Sequence, residues 1–339
     1  MAKKAFITGI TGQDGPFLAK LLLEKGYEVY GGVRRASTPN MRNLEFLGID
    51  KDVKLIEIDL IEYSNLYKII TTIKPDEFYN LAAQSFVGSS FELPILTTNI
   101  NSLGVAYILD IIKTFSPQTK FYQASTSEMF GKIKEPMQNE ETPFYPRSPY
   151  GVSKVYAHWL TVNYRESYGL FATSGILFNH ESELRGPQFV TRKITRHVAN
   201  VSNGSTEILE LGNLNASRDW GYAKEYVEGM YLMLQADKPD TFVLATGKTT
   251  SVRDFVESAY KVIGIDIRWD GAALKEKGYD KKSDKLLIQV NPEFYRPAEV
   301  DVLLGNASKA KNILGWEPKI GVIELADIMV KNDINLLNR

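Results

Sequence analysis

The stretch KAFITGITGQDGPFLAKLLLEKG, residues 4–26, decides the fold of this chain. Its first six residues form a short apolar run that ends in glycine, as expected for a buried parallel strand. The glycines Gly9, Gly12 and Gly15 follow, and the pattern from Pro16 predicts a helix closed by the last glycine of the stretch. A strand, a glycine turn and a helix in this order predict a dinucleotide site, because the free N–H groups at a helix start bind a pyrophosphate. The alternative is a tight turn whose glycines serve packing only.

Strands and helices continue to alternate beyond this stretch. The strands are apolar and rich in β-branched or aromatic residues. Five such strand–helix steps predict an α/β fold with a doubly wound parallel (Rossmann) sheet. The predicted strands are 4–9, 27–33, 53–60, 76–85, 120–126 and 170–180, and the predicted helices include 63–73, about 95–114 and 149–168.

The second half of the chain alternates less regularly. We predict a nucleotide-binding Rossmann domain over 1–178 and a smaller α/β, substrate-binding lobe over 179–339. The segment 208–247 is expected to return in part to the first domain, so that the two are interleaved. Residues 270–300 are expected to form a looser segment.

Composition limits the classes of function. The chain has 339 residues, a net charge of -1 and no cysteine. The near-neutral charge argues against nucleic acid or an anionic membrane as a partner, and the lack of thiols excludes disulfides, thiolate nucleophiles and thiolate metal ligands. We identify no signal peptide, no metal site and no apolar window near the roughly 20 residues that a spanning helix needs. A soluble cytoplasmic protein is the expectation.

The choice of cofactor depends on the end of the second strand, where Arg34, Arg35 and Ser37 follow. An acidic residue at this position binds the ribose hydroxyls of NAD, whereas an arginine accommodates the 2′-phosphate of NADP. Two arginines without a carboxylate therefore favour NADP. The alternatives are a solvated basic loop and a loop that docks another subunit.

The next two strand ends offer further contacts for a ligand. Asp59 and the run Leu81, Ala82 and Ala83 lie where doubly wound sheets bind ligands. The small alanines would let an adenine or a ribose approach closely, although a packing role fits them nearly as well.

The residues that indicate chemistry lie between 121 and 154. A strand runs out into Thr126 and Glu128, and a helix start carries Tyr150 and Lys154. Four residues apart on a helix, the last two side chains share one face, and an ammonium beside a phenol favours the ionised phenol. The pair therefore predicts an acid/base unit.

Histidines and a basic cluster complete the candidates. Asn179 and His180 end the sixth strand, and for His180 alone a satisfied polar side chain is the simpler interpretation. His158 and His197 are expected to be structural or on the surface. Basic clusters are usually solvated, but guanidiniums with aromatic or proline neighbours suit a diphosphate with a stacked base. The basic residues concerned are Arg185, Arg192, Lys193, Arg196, Arg218 and Arg296.

With GxxGxxG, a Ser-Thr strand end and Tyr-xxx-Lys in this order, the chain resembles the extended short-chain dehydrogenase/reductase superfamily. Within that superfamily it resembles the GDP-mannose 4,6-dehydratase family, from about residue 4 to residue 316. The motifs that carry this closer resemblance are GITGQDG, RRAS, LAAQS, STSEMFG, PFYPRSPYGVSK, GILFNHES, FVTRKI, LGNLNASRDWG and RPAEVD.

The resemblance implies an NADP cofactor, a GDP-sugar substrate in the smaller lobe, and a homodimer or homotetramer. It implies a catalytic set of Thr126, Glu128 and Tyr150, supported by Lys154. The implied cofactor contacts are Gly9, Thr11, Gly12, Gln13, Asp14, Gly15, Arg34, Arg35, Ser37, Asp59, Leu60, Leu81, Ala82, Ala83, Ser85, Tyr150, Lys154, His180 and Arg185. The implied substrate contacts are Ser85, Asn179, Val190, Lys193, Arg218, Arg296 and Glu299.

The implied reaction is that of a hydro-lyase, from GDP-D-mannose to GDP-4-dehydro-6-deoxy-D-mannose plus water, without net redox. Tyr150, lowered in pKa by Lys154 and the nicotinamide's positive charge, takes the O4 proton while hydride leaves C4 for NADP⁺. Glu128 abstracts the C5 proton, the C6 hydroxyl leaves, the hydride returns to C6, and C5 is reprotonated. Thr126 would hydrogen-bond O4 and position the sugar.

Three alternatives stay open. One is a dehydratase of another GDP-sugar such as GDP-manno-heptose, and a second is a GDP-4-keto-6-deoxymannose reductase, which consumes NADPH. The third is a non-catalytic NADP-binding regulatory protein. The chain also departs from the family pattern at Glu183 and Leu184, where proline and arginine are usual, and at Pro16, where serine is common. The first two departures leave the details of cofactor binding and the oligomer geometry open.

Overall fold

The structure is a computed structural model that describes residues 2–38, 40–294 and 303–338. Its strands are β1 (Lys4–Thr8), β2 (Glu28–Val33), β3 (Lys54–Glu57), β4 (Glu77–Asn80), β5 (Lys120–Thr126), β6 (Ala172–Leu177), β7 (Asn179–Glu181), β8 (Leu209–Leu211), β9 (Ser217–Arg218), β10 (Trp220–Tyr222), β11 (Thr241–Leu244), β12 (Thr250–Ser251), β13 (Ile267–Asp270), β14 (Lys277–Asp280) and β15 (Leu286–Val290). Its α-helices are α1 (Asp14–Glu24), α2 (Arg42–Leu47), α3 (Tyr63–Ile73), α4 (Val87–Glu92), α5 (Pro94–Thr98), α6 (Gly104–Phe115), α7 (Pro149–Tyr168), α8 (Val190–Ser202), α9 (Ala223–Gln235), α10 (Val252–Lys261), α11 (Ser308–Leu314) and α12 (Val322–Leu337). A π-helical turn covers Asn99–Leu103, and 3-10 turns cover Ser127–Met129, Ala273–Lys275 and Pro292–Phe294.

Seven parallel strands form the central sheet, in the order β11, β6, β5, β4, β1, β2, β3. Successive residues of a strand point to opposite faces, so Ala5 and Ile7 pack with residues of α1 and α9, whereas Phe6 packs with residues of α3 and α6. Helices therefore cover both faces, and the predicted doubly wound α/β fold is confirmed.

A second sheet has four strands, in the order β13, β14, β15, β8. Apolar residues of α8, α10 and α12 share one core with β8 and β15. The expectation of a looser segment over 270–300 is wrong for its described part, because β14 and β15 lie there. The lysine-rich segment before it, 275–285, concealed the short apolar run Leu286–Val290. β8 belongs to this sheet and β11 to the central one, and the domain boundaries stay a prediction.

Several element boundaries differ from the predicted ones. α1 begins at Asp14, two residues before Pro16. Proline fits there because the first N–H groups of a helix have no intrahelical acceptor. β3 ends at Glu57, which leaves Asp59 beyond the strand, and the strand predicted over 170–180 is divided into β6 and β7.

The helical run Pro94–Phe115 contradicts the expectation that no apolar window approaches the length of a membrane span. By length and composition alone this run could cross a membrane, with a mean hydropathy of 1.4, and half of that window is buried in the structure. Val105, Ile108 and Ile112 of the run belong to a core cluster with residues of the central sheet. A core helix of a soluble protein has these same properties, so the run is weak evidence for a membrane span.

Candidate active site

A cavity of about 650 Å³ lies against the carboxyl ends of the central strands. Its walls are residues that follow β4, β5 and β6, the start of α7, and parts of the four-stranded sheet and of the helices packed on it. Doubly wound sheets bind ligands in this position. Of the predicted site residues, the cavity brings together Asp14, Leu81, Ala83, Ser85, Thr126, Glu128, Tyr150, Lys154, Asn179, His180, Arg185, Val190, Lys193 and Arg218.

The glycine turn before α1 requires its glycines. Gly9 has a φ of 71°, and its carbonyl accepts a hydrogen bond from Gly12 N at 3.0 Å. A Cβ added to Gly15 would lie 2.5 Å from Gly9 O, and one added to Gly9 would lie 2.9 Å from Ala82 N. The backbone approaches too closely here for any side chain, so the turn runs tightly into the free N–H groups at the start of α1.

A hydrogen-bonded network joins this turn to β7. His180 Nε2 lies 3.0 Å from Asp14 Oδ2, Gln13 donates to His180 O at 3.0 Å, and Ser182 donates to Gln13 Oε1 at 3.0 Å. Burial alone would raise the pKa of Asp14 and lower that of His180, but their ion pair and hydrogen bond shift both pKa values the other way. Each group therefore favours its charged form, and His180 has a specific partner that the sequence interpretation did not foresee.

Thr126 and Glu128 stand at the exit of β5. Thr126 caps the following 3-10 turn, since its Oγ1 accepts from Glu128 N at 3.3 Å. The start of α7 lies directly against this turn, because a Cβ on Gly151 would come within 2.9 Å of Glu128 O. The strand exit and the helix start are thus in contact, as the predicted catalytic set requires.

The start of α7 is fixed by local sequence. Pro149 occupies the first turn, and Ser148 caps the helix by accepting from Gly151 N at 3.0 Å. Lys154 Nζ donates to Ala124 O at 2.8 Å and lies 5.9 Å from the centre of the Tyr150 ring. Tyr150 and Lys154 therefore share one helix face beside the end of β5.

The pKa of Tyr150 differs from the expectation. Burial raises the pKa of Tyr150 to about 12, although a hydrogen bond with Thr126 lowers it in part. Burial also lowers the pKa of Lys154 to about 8. The expectation that Lys154 lowers the pKa of Tyr150 below its usual value is therefore wrong for the protein's own groups. Loss of hydration is the largest effect on both side chains.

Polar and aromatic side chains line the rest of the cavity. Asn179 Oδ1 is buried and has no hydrogen-bond partner among the described residues. Lys193 Nζ lies 3.9 Å from the centre of the Phe294 ring, and burial lowers the pKa of this lysine. Arg218 Nη1 donates to Ser217 O at 2.9 Å. An amide oxygen and cations beside an aromatic ring suit a nucleotide with its phosphates.

Arg185 holds the segment between β7 and α8. Its Nε lies 3.0 Å from Glu181 Oε2, and its guanidinium lies 3.6 Å from the centre of the Phe189 ring. Phe86 meets Phe189 edge-on at 6.0 Å between ring centres. The sequence interpretation missed Phe86, Phe189 and Phe294, although Phe189 and Phe294 each lie beside a basic motif, which was a usable signal.

The other predicted residues lie outside the cavity wall, and two are not described. Arg34, Arg35, Ser37 and Asp59 are exposed, and Arg35 reaches Glu57 at 3.6 Å. Leu60 is buried and the glycine turn adjoins Ala82. Arg296 and Glu299 lie outside the described residues. The predicted residues beyond the cavity wall are Gly9, Thr11, Gly12, Gln13, Gly15, Arg34, Arg35, Ser37, Asp59, Leu60 and Ala82.

Part of the basic cluster and two histidines serve the fold. Arg192 is buried and pairs with Asp333 at 2.7 Å, whereas Arg196 is exposed. His158 lies 2.8 Å from Ser174 Oγ, and His197 lies 2.8 Å from the hydroxyl of Tyr260. Burial lowers the pKa of both histidines, so both are neutral structural groups near neutral pH.

Comparisons with known proteins agree with the resemblance in the sequence. The sequence model of the family described as GDP-mannose 4,6 dehydratase matches residues 6–329. The GDP-mannose 4,6 dehydratase of Cricetulus griseus is 52% identical over 343 residues, which cover 99% of this chain and 92% of that protein. The GDP-mannose 4,6 dehydratase of Drosophila melanogaster is 50% identical over 345 residues, which cover 99% of this chain and 87% of that protein.

Solved structures share the fold over nearly the whole chain. The dTDP-glucose 4,6-dehydratase from Bacillus anthracis, in complex with NAD, has a TM-score of 0.80 at 20% identity and covers 98% of this chain and 96% of its own. RMD from Pseudomonas aeruginosa, complexed with NADPH, has a TM-score of 0.77 at 21% identity and covers 98% of this chain and 100% of its own.

Proposed function

We propose, from the premise that this chain belongs to the GDP-mannose 4,6-dehydratase family, that it removes water from GDP-D-mannose to give GDP-4-dehydro-6-deoxy-D-mannose. The observation that carries the proposal is the meeting of Thr126, Glu128 and Tyr150 in one cavity. A plain dehydrogenase needs a proton acceptor at the hydroxyl that is oxidised. An elimination also needs a base at the neighbouring carbon, and Glu128 supplies a carboxylate for that step.

The cavity supports a division of roles among these residues. A nicotinamide dinucleotide, when bound, accepts the hydride from C4 and returns it to C6. Tyr150 removes the O4 proton, and because burial raises its pKa to about 12, it needs the nearby cation that Lys154 supplies. Thr126 hydrogen-bonds O4, and Glu128 takes the C5 proton once C4 is a ketone. The C6 hydroxyl then leaves as water with a proton from the same carboxyl group, and C5 is reprotonated at the end of the reaction.

The cofactor in this proposal is NADP. The glycine turn leaves room only for backbone beside the start of α1, which fits a dinucleotide pyrophosphate. Arg34 and Arg35 stand exposed after β2, which is the strand next to β1 in the sheet, and they fit a 2′-phosphate. Isothermal titration with NADP and NAD tests the choice. The wild type should bind NADP more tightly than NAD, and Arg35→Asp should abolish this preference. Equal affinities of the wild type for the two cofactors would contradict the choice of NADP.

The proposed location of the protein is the cytoplasm. Its proposed partner is a second copy of the same chain. Ile95 of α5 is 73% exposed and Trp159 of α7 is 55% exposed, and these two helices pack side by side. Val152 and Tyr156 extend the same apolar surface along α7. Burial of this surface in a homodimer would explain why the run Pro94–Phe115 is so apolar. Light scattering of the wild type and of Trp159→Lys tests this arrangement, and a monomeric wild type would refute it.

One incubation tests the proposed activity. The purified protein is mixed with GDP-mannose and catalytic NADP without a reductant, and the nucleotide sugar is analysed by mass spectrometry. The expected product is lighter than the substrate by one water, with no net consumption of cofactor. An unchanged mass would refute the proposal for this sugar. Stoichiometric NADPH consumption with the 4-keto-6-deoxy sugar would instead indicate a reductase, and conversion of GDP-manno-heptose alone would indicate the other dehydratase.

A further inference from the structure

Three buried polar side chains form a hydrogen-bonded chain that ends at Ser125 in the cavity wall. His158 Nδ1 lies 2.8 Å from Ser174 Oγ, which lies 2.9 Å from Ser125 Oγ. Their exposed fractions are 3%, 0% and 4%, so water cannot replace these partners easily. We propose that His158 is a positioning residue that sets, through this chain, the contact between Thr126 and Tyr150. The inference rests on the proposed function for its catalytic readout only.

The chain connects the two elements that carry the predicted catalytic groups. His158 lies on α7, eight residues after Tyr150 with Lys154 midway, so the three side chains follow one face of the helix. Ser125 lies in β5, and Ser174 lies in β6 beside it. The hydrogen bonds therefore fix the distance of α7 from the exit of β5 at a second point, two turns away from Tyr150.

Because Ser125 and Thr126 are neighbours in β5, a restraint on Ser125 also restrains the position of Thr126. Ser125 immediately precedes Thr126 in β5, and neighbouring strand residues point to opposite faces. Ser174 therefore holds Ser125 on one face of β5, while the Thr126 side chain lies on the other face and its hydrogen bond lowers the pKa of Tyr150. A shift of the strand at Ser125 would lengthen that hydrogen bond.

The position of the His158 ring nitrogens allows a conservative substitution to restore the hydrogen bond with Ser174. Burial lowers the pKa of His158 to about 4, so the neutral ring can accept the Ser174 hydroxyl at Nδ1. Phe144 meets the ring edge-on at 5.1 Å between ring centres and restricts its rotation. The amide of asparagine places a polar atom at the position of Nδ1, whereas that of glutamine reaches the position of Nε2. His158→Asn should therefore preserve the chain, and His158→Gln should break it.

Kinetics of these variants test the proposal. His158→Gln should lower kcat about 10-fold to 100-fold with little change in KM, since small misplacements of reacting groups have effects of this size. It should also raise the apparent pKa of the acid/base step, because Tyr150 loses the hydrogen bond that lowers its pKa. The charged groups that act on Tyr150 from other elements, Glu128, Arg185 and Asp14, are unchanged in this variant. His158→Asn should restore both parameters.

A matched control separates positioning from general destabilisation. His197 is also a buried histidine, but its hydrogen-bond partners are Tyr260 and the carbonyl of Glu207, beside the four-stranded sheet. His197→Gln should leave kcat and the pH profile unchanged, even if it lowers the free energy of unfolding. Equal effects of His197→Gln and His158→Gln on the pH profile would overturn the proposal.

A spectroscopic readout does not depend on turnover. With carbon-13 in the tyrosine rings, the Tyr150 signal is assigned by its loss in Tyr150→Phe. His158→Gln, or Ser174→Ala if that variant does not fold, should move this signal toward its position in Thr126→Val, and His158→Asn should not. An unmoved signal in a folded variant would refute the inference. Failure of the wild type to dehydrate GDP-mannose would refute only the proposed function.

Discussion

Replacement of Glu128 by glutamine should separate oxidation of the sugar from loss of water. The amide keeps the shape of the side chain but cannot take the C5 proton. The proposed oxidation at C4 uses Tyr150, and the charge of Glu128 raises the pKa of this tyrosine. Its removal therefore favours the phenolate form of Tyr150, which is the form that accepts the O4 proton. Glu128→Gln should consequently form the ketone and stop there, with reduced cofactor in the site.

The expected magnitudes make this test decisive. A general base contributes about 10²-fold to 10⁴-fold in rate, or roughly 3 to 5 kcal/mol of barrier. Glu128 is half-buried, and its carboxylate has no hydrogen bond or ion pair with another described residue. The free energy of unfolding should therefore change by less than about 0.5 kcal/mol. A loss of turnover of this size with unchanged stability is a chemical effect.

Two measurements are made on the same mixture of enzyme, cofactor and substrate. Absorbance of the reduced nicotinamide reports oxidation, and mass spectrometry reports water loss. The expected result is a burst of one reduced cofactor per site and no dehydrated product. Glu92→Gln is the matched control, since Glu92 also lines the cavity but is exposed, and it should retain turnover. Wild-type turnover in Glu128→Gln, or no reduced cofactor, would contradict the assigned role.

Three further perturbations test the site and its support. Gly15→Ala places a Cβ 2.5 Å from a backbone oxygen of the glycine turn, so it should lower the free energy of unfolding by about 1–3 kcal/mol and abolish the rise in Tm that we expect from the proposed binding of NADP. The ion pair of Asp14 with His180 raises the pKa of the histidine and lowers that of the carboxyl group. Its contribution to stability should therefore be lost as pH rises through the folded pKa of His180 and as pH falls through that of Asp14. In urea titrations the deficit of Asp14→Asn should be largest between about pH 4 and 6.5, and a deficit independent of pH would contradict this. Arg192→Met leaves the buried carboxylate of Asp333 without its cation and should lower the free energy of unfolding by about 3–5 kcal/mol. The double variant with Asp333→Leu should recover most of that loss, and no recovery would indicate that packing of Arg192 dominates.

The central sheet could be predicted because each of its signals is local. The strand 4–9, the glycine turn and the helix after it lie within one short stretch, and the same pattern recurs along the first half of the chain. The strands β14 and β15 escaped because each is short and the five residues between them include three lysines. One partner of β15, β8, is also distant in sequence.

Fourteen of the predicted site residues lie together in the cavity wall, whereas the energetics of the site were less predictable. Tyr150 and Lys154 were placed on one helix face by their spacing. The raised pKa of Tyr150 was not foreseen, because its largest cause is burial, which is a property of the whole fold. The bond between Asp14 and His180 joins residues 166 positions apart, and no local pattern reports such a pair.

The return of β11 to the central sheet sets an order for folding during synthesis. β6 pairs with β5 on one side and with β11 on the other, and β11 lies more than sixty residues later in the chain. Until the ribosome has released residues 241–244, the hydrogen-bonding groups along one edge of β6 have no strand beside them. An unpaired edge of this kind is a template for aggregation. A nascent or truncated chain that ends at 178 should therefore need a chaperone, although it contains the glycine turn and the predicted catalytic residues.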